Sequence, residues 1–322
     1  MAATPAATPA EPPAEPPAEP PVGTPAATPA RLRVGIVGTG RVGAVLGAAL
    51  ARAGHRVVAA YGVSDASRSR AAALLPGVPL VSPAEVLERA DLVLLTVPDD
   101  PLAALVDGLV ATGAVRPGQL LAHTSGRFGT AVLEPATRAG ALPLALHPAM
   151  TFTGTAVDLE RLPGATFGVT APEPLWPIAE ALVVEMGSEP VRVAEEARVL
   201  YHAALAHGAN HLVTLVAESM DLLRAAGVDD PAKSLAPLLS AALDNALRAG
   251  DAALTGPVAR GDAGTVASHV DEIARVDPEA VGTYVALARR TADRALASGR
   301  LRLTDAEPLL DALAVRPDGA RT

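Results

Sequence analysis

The feature that most constrains this chain is Gly38-Thr39-Gly40-Arg41-Val42-Gly43, a GxGxxG set between an apolar run and an Ala-rich stretch. Leu32–Val37 (LRVGIV) reads as a buried parallel strand that ends in the glycines. Ala44–Ala53 reads as a helix stopped by Gly54. Strand, glycine turn and helix start in this order form a dinucleotide-binding fingerprint. Gly38 permits the tight turn, Gly40 lets the backbone approach a pyrophosphate, and Gly43 allows the helix to pack on the strand. The helix N-terminus then offers N–H donors and a favourable dipole to the anion. Thr39, Arg41 and Val42 complete the expected cofactor loop.

The rhythm set by this unit continues. His55–Tyr61 reads as a second strand, and strand-like runs follow at Pro79–Val81, Asp91–Val97, Leu120–His123 and Leu142–His147. Helical stretches such as Pro83–Arg89 and Pro101–Ala111 separate them. Alternation of this kind implies an α/β fold with a doubly wound parallel sheet, the Rossmann arrangement. A last βαβ unit is expected through Thr166–Thr170, Leu175–Gly187 and Val191–Val193. After Ala194 strand signals stop. Glu195–Ala226 is one long helical stretch, followed by helices near Pro231–Ala249, Gly261–Arg275, Pro278–Ala297 and Thr304–Leu313. The expected division is a tail over 1–30, a Rossmann domain over 31–194 and an all-helical domain over 195–316.

Composition narrows the possibilities. A length of 322 residues suits two domains at roughly 150 residues each. Half of the residues are hydrophobic but 2% are aromatic, so the cores must be built from Ala, Leu and Val. A net charge of −9 argues against nucleic acid as a partner, since phosphate binding needs a basic patch. The chain has no cysteine, which excludes disulfides and Cys-ligated metal sites. No basic-then-apolar leader and no run of about 20 apolar residues is present, so the expectation is a cytoplasmic protein without a membrane span. Residues 1–30 are Pro/Ala-rich repeats that cannot bury a core, and a disordered tail with polyproline character is expected. The tail reads as a solubilising leader or as a ligand for proline-binding domains.

The cofactor choice rests on the second strand. NAD enzymes place an acid at its tip, against the ribose 2′-hydroxyl. Here Tyr61-Gly62-Val63 ends the strand, and Ser64, Asp65, Ser67, Arg68 and Arg70 follow. Hydroxyls and arginines suit a 2′-phosphate, so NADP(H) is favoured, with Ser67 and Arg68 as binding residues. A shifted loop bringing Asp65 to the ribose stays open. Val97-Pro98-Asp99, His123-Thr124-Ser125 and His147-Pro148 end three successive strands. Ligands sit beyond the carboxyl ends of such strands, so these residues should lie near the nicotinamide.

Several longer pieces carry a resemblance: GIVGTGRVG, TVPDD, AHTSG, LHPAMTFTG, LYHAALAHGAN, and LTGPVARGD followed by His269. They span most of residues 33–300. With them the chain resembles Rossmann-like NADP-binding oxidoreductases whose C-terminal helical part is a domain of unknown function. That family is similar to ketopantoate reductase, pyrroline-5-carboxylate reductase and the 6-phosphogluconate dehydrogenase C-terminal class. The resemblance implies reduction of a small 2-oxo acid, ketopantoate first. One departure matters. Relatives of this kind use a lysine on the first helix of the C-terminal domain, and the chain's one lysine, Lys233, falls beyond that helix.

The proton donor must therefore be sought elsewhere. Hydride transfer to a carbonyl or imine leaves charge that needs a proton and hydrogen-bond donors. His202 and Asn210 lie two helical turns apart on roughly one side, so His202 is the expected donor and Asn210 a substrate-orienting group. Either residue can equally be a packed or surface group. His123 and His147 are rival acids, or anchors for strand-end loops, and Ser125 is a further substrate contact. Arg260, in the loop Thr255–Asp262, suits a substrate carboxylate, while Asp262 either caps the next helix or fixes Arg260. His207 and His211 have metal-ligand spacing without the zincin Glu, so no metal is expected. Two rival functions remain: an imine reductase, whose substrate can arrive protonated, and a non-catalytic NADP-binding sensor or scaffold. The Ala-rich helices after residue 230 suit a homodimer.

Overall fold

In the computed structural model, which describes residues 31–314, the glycine turn is flanked as its sequence requires. The expected tail over 1–30 and the last residues of the expected helical domain lie outside the described residues. β1 (Arg33–Val37) has four buried residues in a row, the mark of a strand covered on both faces. α1 (Arg41–Arg52) follows and stops at Ala53, where Gly54 takes a left-handed φ of 96°. β2 (Arg56–Tyr61), α2 (Asp65–Leu74) and α3 (Pro83–Arg89) come next. Ser82 and Glu85 close a reciprocal capping box on α3, so the sequence starts that helix locally. β3 (Leu92–Leu95), α4 (Asp99–Ala111), β4 (Leu120–His123), α5 (Glu134–Arg138) and β5 (Leu142–Pro148) complete the parallel part.

The remaining strands depart from a fully parallel sheet. α6 (Ala156–Arg161) leads to β6 (Thr166–Thr170), then α7 (Trp176–Glu185) to β7 (Glu189–Arg192). The order is β2-β1-β3-β4-β5-β6-β7, and β6 runs antiparallel to β5, with His147 opposite Gly168 and Pro148 opposite Phe167. The connection through α6 does not carry the chain back along the sheet, and β6 re-enters at the end where β5 leaves. α7, with ten residues, does span that distance, and β7 lies parallel to β6. The expected strand at Pro79–Val81 reduces to a single bridge between Ala60 and Leu80. Pro79 has no N–H to give, and the chain turns away at once into the Ser82 cap.

Side chains alternate across the sheet. Ile36, Leu94, Ala122 and Leu144 pack on one face with Leu46 of α1, Leu159 of α6 and Leu182 of α7. Val37, Val93, Leu95 and Leu121 pack on the other with Leu87 of α3, Leu102 of α4 and Ala136 of α5. These cores are aliphatic, as an aromatic-poor chain requires. The chain divides into two compact units after Glu195.

The second unit is helical throughout its described residues: α8 (Arg198–Ala225), α9 (Pro231–Ala249), α10 (Pro257–Arg260), α11 (Ala263–Val276), α12 (Ala280–Ala297) and α13 (Leu303–Ala312). Its core is drawn from α10 to α13 and their connections, through Ala259, Val266, Val270, Ala288, Ala292, Leu301 and Leu309. No described helix is long and apolar enough to cross a membrane.

Candidate active site

β1 and β3 are neighbours in the sheet, and the chain leaves them in different directions, to β2 on one side and to β4 on the other. Crevices of this kind are where doubly wound sheets bind ligands. The glycine turn fills it. Gly38 has φ 108°, and the N–H groups of Gly38 and Thr39 both donate to Tyr61 O, at 2.9 and 3.0 Å. Thr96, just past β3, donates its hydroxyl to Gly38 O at 2.5 Å. A Cβ on Gly43 would lie 2.1 Å from Gly38 O and 2.2 Å from Thr96 Oγ1, so only glycine fits there. Gly40 is the opposite case: nothing lies within 4 Å of where its Cβ would be. Gly40 caps α1 without a side-chain hydrogen bond, and the first turn of α1 holds no acid. The first-turn N–H groups therefore have no capping side chain at the positive end of a 12-residue helix. These residues fit a dinucleotide pyrophosphate.

The tip of β2 carries no acid. Ser64 caps α2 by accepting from Ser67 N, and Ser67 returns its hydroxyl to Ser64 O at 2.7 Å. Ser67 is buried, and its carbonyl accepts from buried Thr39 Oγ1 at 3.0 Å. Both side chains thus brace the cofactor loop from within. Asp65 is fully exposed and pairs with Arg68 at 3.4 Å. Arg41 and Arg70 carry no ion pair among the described residues. They converge on Gly154, whose Cβ would meet Arg70 Nε at 2.8 Å and Arg41 Cγ at 3.0 Å. Gly154 is held there by Asp158, a fully buried carboxylate that accepts from Thr153 N at 2.9 Å, Gly154 N at 2.6 Å and Thr153 Oγ1 at 2.9 Å. Sequence reasoning named both arginines but not their convergence, because nothing local to Arg70 announces the loop at residues 153–155.

The strand ends lie in one row. Val37, Leu95, His123 and Ala145 are register partners across β1, β3, β4 and β5, and His147 stands two residues further along β5. Val97 and Pro98 bridge Thr96 to Asp99, the first residue of α4. His123 is fully buried; Ser125 N donates to its Nδ1 at 3.2 Å, and its Nε2 lies 2.8 Å from Gly129 O. Its ring therefore fixes the loop after β4. Ser125 Oγ accepts from Phe128 N at 3.2 Å, which leaves its own proton to give. His147 is half-buried.

In the second unit, His202 (half-buried) and Asn210 (exposed) both lie on α8. His207 and His211, on the same helix, meet Nδ1 to Nδ1 at 2.8 Å, and no group of three or more metal-ligating side chains occurs among the described residues. Arg260 ends α10 and turns back onto Asp262 Oδ2, with Nε at 3.0 Å and Nη2 at 2.7 Å. Asp262 makes no side-chain cap on α11, so of its two expected roles the structure has the second. Lys233 is exposed at the start of α9, its N–H capped by Asp230.

This architecture matches two described families. Residues 18–148 match a Rossmann-like domain, and residues 165–291 match a domain of unknown function, DUF2520. The chain is a Rossmann-like domain joined to a DUF2520 domain. α8, α9 and α11 lie within the DUF2520 match, as do His202, Asn210 and Arg260. No curated protein matches the sequence. Among solved structures, a provisionally named NADP oxidoreductase from Bacteroides fragilis is 23% identical over 82% of this chain and 98% of its own, with a TM-score of 0.69. An imine reductase from a Pseudomonas species is 20% identical over 83% and 96%, with a TM-score of 0.62. Pyrroline carboxylate reductase of Plasmodium falciparum, solved with NADP bound, is 11% identical over 82% and 98%, with a TM-score of 0.52. At these identities the likeness is one of fold, and it runs through both the Rossmann-like and the DUF2520 parts.

Proposed function

We propose that this protein is an NADPH-dependent reductase of a small substrate bearing a C=N or C=O bond. One observation carries the reading: the bare Gly40 turn at the uncapped N-terminus of α1, in the crevice between β1 and β3. That turn is built for a pyrophosphate and has no other evident use. NADP(H) is favoured over NAD(H) because the β2 tip lacks an acid, Asp65 faces solvent, and Arg41 and Arg70 offer charge without a carboxylate partner among the described residues. The bound nicotinamide supplies the hydride. Val97, Pro98 and Asp99 border its site, Ser125 and Asn210 orient the substrate, and His202 gives the proton, with His147 a further polar group at the rim.

Two substrate readings follow. A 2-oxo acid, ketopantoate first, comes with the family resemblance and uses Arg260 for its carboxylate. That carboxylate must displace Asp262 from a two-pronged contact. The imine reading is favoured by the exposed position of the one lysine, since a protonated imine needs no lysine donor, and by the likeness to an imine reductase over 83% of the chain. A homodimer is part of the proposal, supported by the exposed leucines of α9.

The test is NADPH oxidation by the purified protein with ketopantoate and with 1-pyrroline, NADH run alongside, for wild type, Arg70→Ala and Arg68→Ala. The expected result is saturable turnover with one substrate, a preference for NADPH, and loss of about tenfold of that preference in Arg70→Ala but not Arg68→Ala, the scale of one hydrogen bond to a charged group. No turnover with either substrate and either cofactor would move the protein to the class of NADP-binding sensors.

A further inference from the structure

The second unit holds a cavity of about 390 Å³ that none of the roles above uses. Its size falls within the range of small-ligand sites, roughly 300–1,000 Å³. The wall is mostly aliphatic, with Leu215 and Leu222 from α8, Val258 from α10 and Leu287 from α12. Polar groups enter it as two pairs. Thr283 Oγ1 donates to Glu218 Oε1 at 3.3 Å, and Tyr284 Oη lies 2.9 Å from His269 Nδ1.

The charge of the lining is one-sided. Glu218 is its one carboxylate, and no arginine or lysine lines the cavity. Glu218 is half-buried and makes no ion pair among the described residues. A carboxylate beside an aliphatic wall, with one weakly held oxygen, attracts a cation and repels an anion. Tyr284 adds to this. Burial pushes its hydroxyl above the ordinary phenol value, so it stays neutral. With the His269 tautomer that accepts from Tyr284, the phenol oxygen is left to accept an N–H, and the ring face also favours a cation.

We infer that this cavity binds a small organic cation, a protonated amine or iminium on an apolar ring or chain, with Glu218 as its counter-ion. The inference does not rest on the reductase reading: binding of the cation stands apart from turnover.

Calorimetric titration of the full chain with cyclohexylamine, cyclohexanol and cyclohexanecarboxylate tests it at neutral pH, where the amine is a cation. The ammonium is expected to bind at least about tenfold tighter than either isostere, the scale of one charge-assisted hydrogen bond. Glu218→Gln should lower it to the level of the alcohol, with NADPH binding and the thermal midpoint unchanged. Leu287→Trp, which narrows the cavity, should weaken binding of the ammonium. Should Glu218→Gln fail to fold, Tyr284→Phe takes its place, with a several-fold loss confined to the ammonium. Equal affinity for the three probes, or ammonium binding indifferent to these changes, overturns the inference. So does a cavity that binds no probe while Leu287→Trp alters the oligomeric state, for then a second copy covers it. Ammonium binding in a protein that never oxidises NADPH would sink the reductase reading alone; turnover of a 2-oxo acid without ammonium binding would sink this inference alone.

Discussion

At the scale of single residues, two glycines three positions apart make opposite predictions. Gly40 has φ −70°, which alanine adopts freely, and an added Cβ meets nothing within 4 Å. Gly40→Ala should therefore keep its stability within about 0.5 kcal/mol while weakening NADPH, whose pyrophosphate needs that space. Gly43→Ala puts a methyl 2.1 Å from a backbone oxygen and 2.2 Å from Thr96 Oγ1, neither at the end of a flexible side chain. Overpacking of this kind costs about 1–3 kcal/mol, and it distorts the turn, so both stability and binding should fall. Thermal unfolding and NADPH fluorescence titration on the two variants separate the cases, and equal destabilisation of both would contradict the assigned roles. The tight turn at Gly38 and the close packing at Gly43 were legible because each follows from local backbone geometry. The convergence of Arg41 and Arg70 on Gly154 was not. Local spacing singles out Arg68, but the fold gives Arg68 to Asp65 and sends Arg70 to a loop after β5. That loop takes its place from Asp158, whose contribution depends on burial and leaves no pattern in the sequence.

At the scale of elements, the existence and type of most strands and helices followed from periodicity and punctuation, while strand direction did not. Thr166–Thr170 has the same bounds in the sequence reading and in the structure, yet it runs antiparallel to β5. An apolar run has no arrow; direction is set by the path of the whole connection, and the segment between Pro148 and Thr166 returns the chain to the end of the sheet that β5 leaves. The parallel part has its own lock at the other end of the sheet. Asp91, before β3, accepts from Arg33 N at 3.1 Å and from Arg33 Nη2 at 2.6 Å, while Asp91 N donates to Arg33 O at 2.7 Å. The Arg33 hydrogen bond, against a smaller opposing effect of burial, holds the Asp91 carboxyl below its ordinary value. A depressed carboxylate stabilises the folded state above its unfolded pKa, and that stabilisation is lost as pH falls through the folded pKa. Asp91→Asn should thus lower the thermal midpoint at pH 7 and make progressively less difference below about pH 4, near the unperturbed value for Asp. Because both side chains are partly exposed, the difference should also shrink in high salt. A deficit in Asp91→Asn that is constant from pH 7 to pH 3 would mean that geometry, not charge, joins the two strands.

At the scale of the whole molecule, the second unit leaves apolar side chains of two of its helices in the open. Its core comes from α10 to α13 and their connections, and α8 and α9 add nothing to it. Among the 28 residues of α8, Arg198 alone is buried; among the 19 of α9, Pro231 alone. Yet α9 is not a polar helix. Leu235, Leu239, Leu243 and Leu247 recur at every fourth position, a single ridge along one face, with Leu238 beside it. Leu247 is 79% exposed, Leu238 64% and Leu243 51%, and Val213 of α8 is 70% exposed. A row of leucines in water costs about 25 cal/mol for each Å² left uncovered, and contiguous apolar patches of this kind mark interfaces. A second copy is the occupant that suits it, since an i, i+4 ridge flanked by Ala242 and Ala246 can lie in the groove of its own twin at close approach. Light scattering should then give twice the 32.4 kDa chain mass, independent of dilution into the micromolar range. Leu243→Glu with Leu247→Glu should give the single-chain mass without loss of helix content, because both side chains are largely exposed in the lone chain and glutamate is a good helix former. A wild type that runs as one chain would return the ridge to solvent and leave α9 without a reason for its leucines.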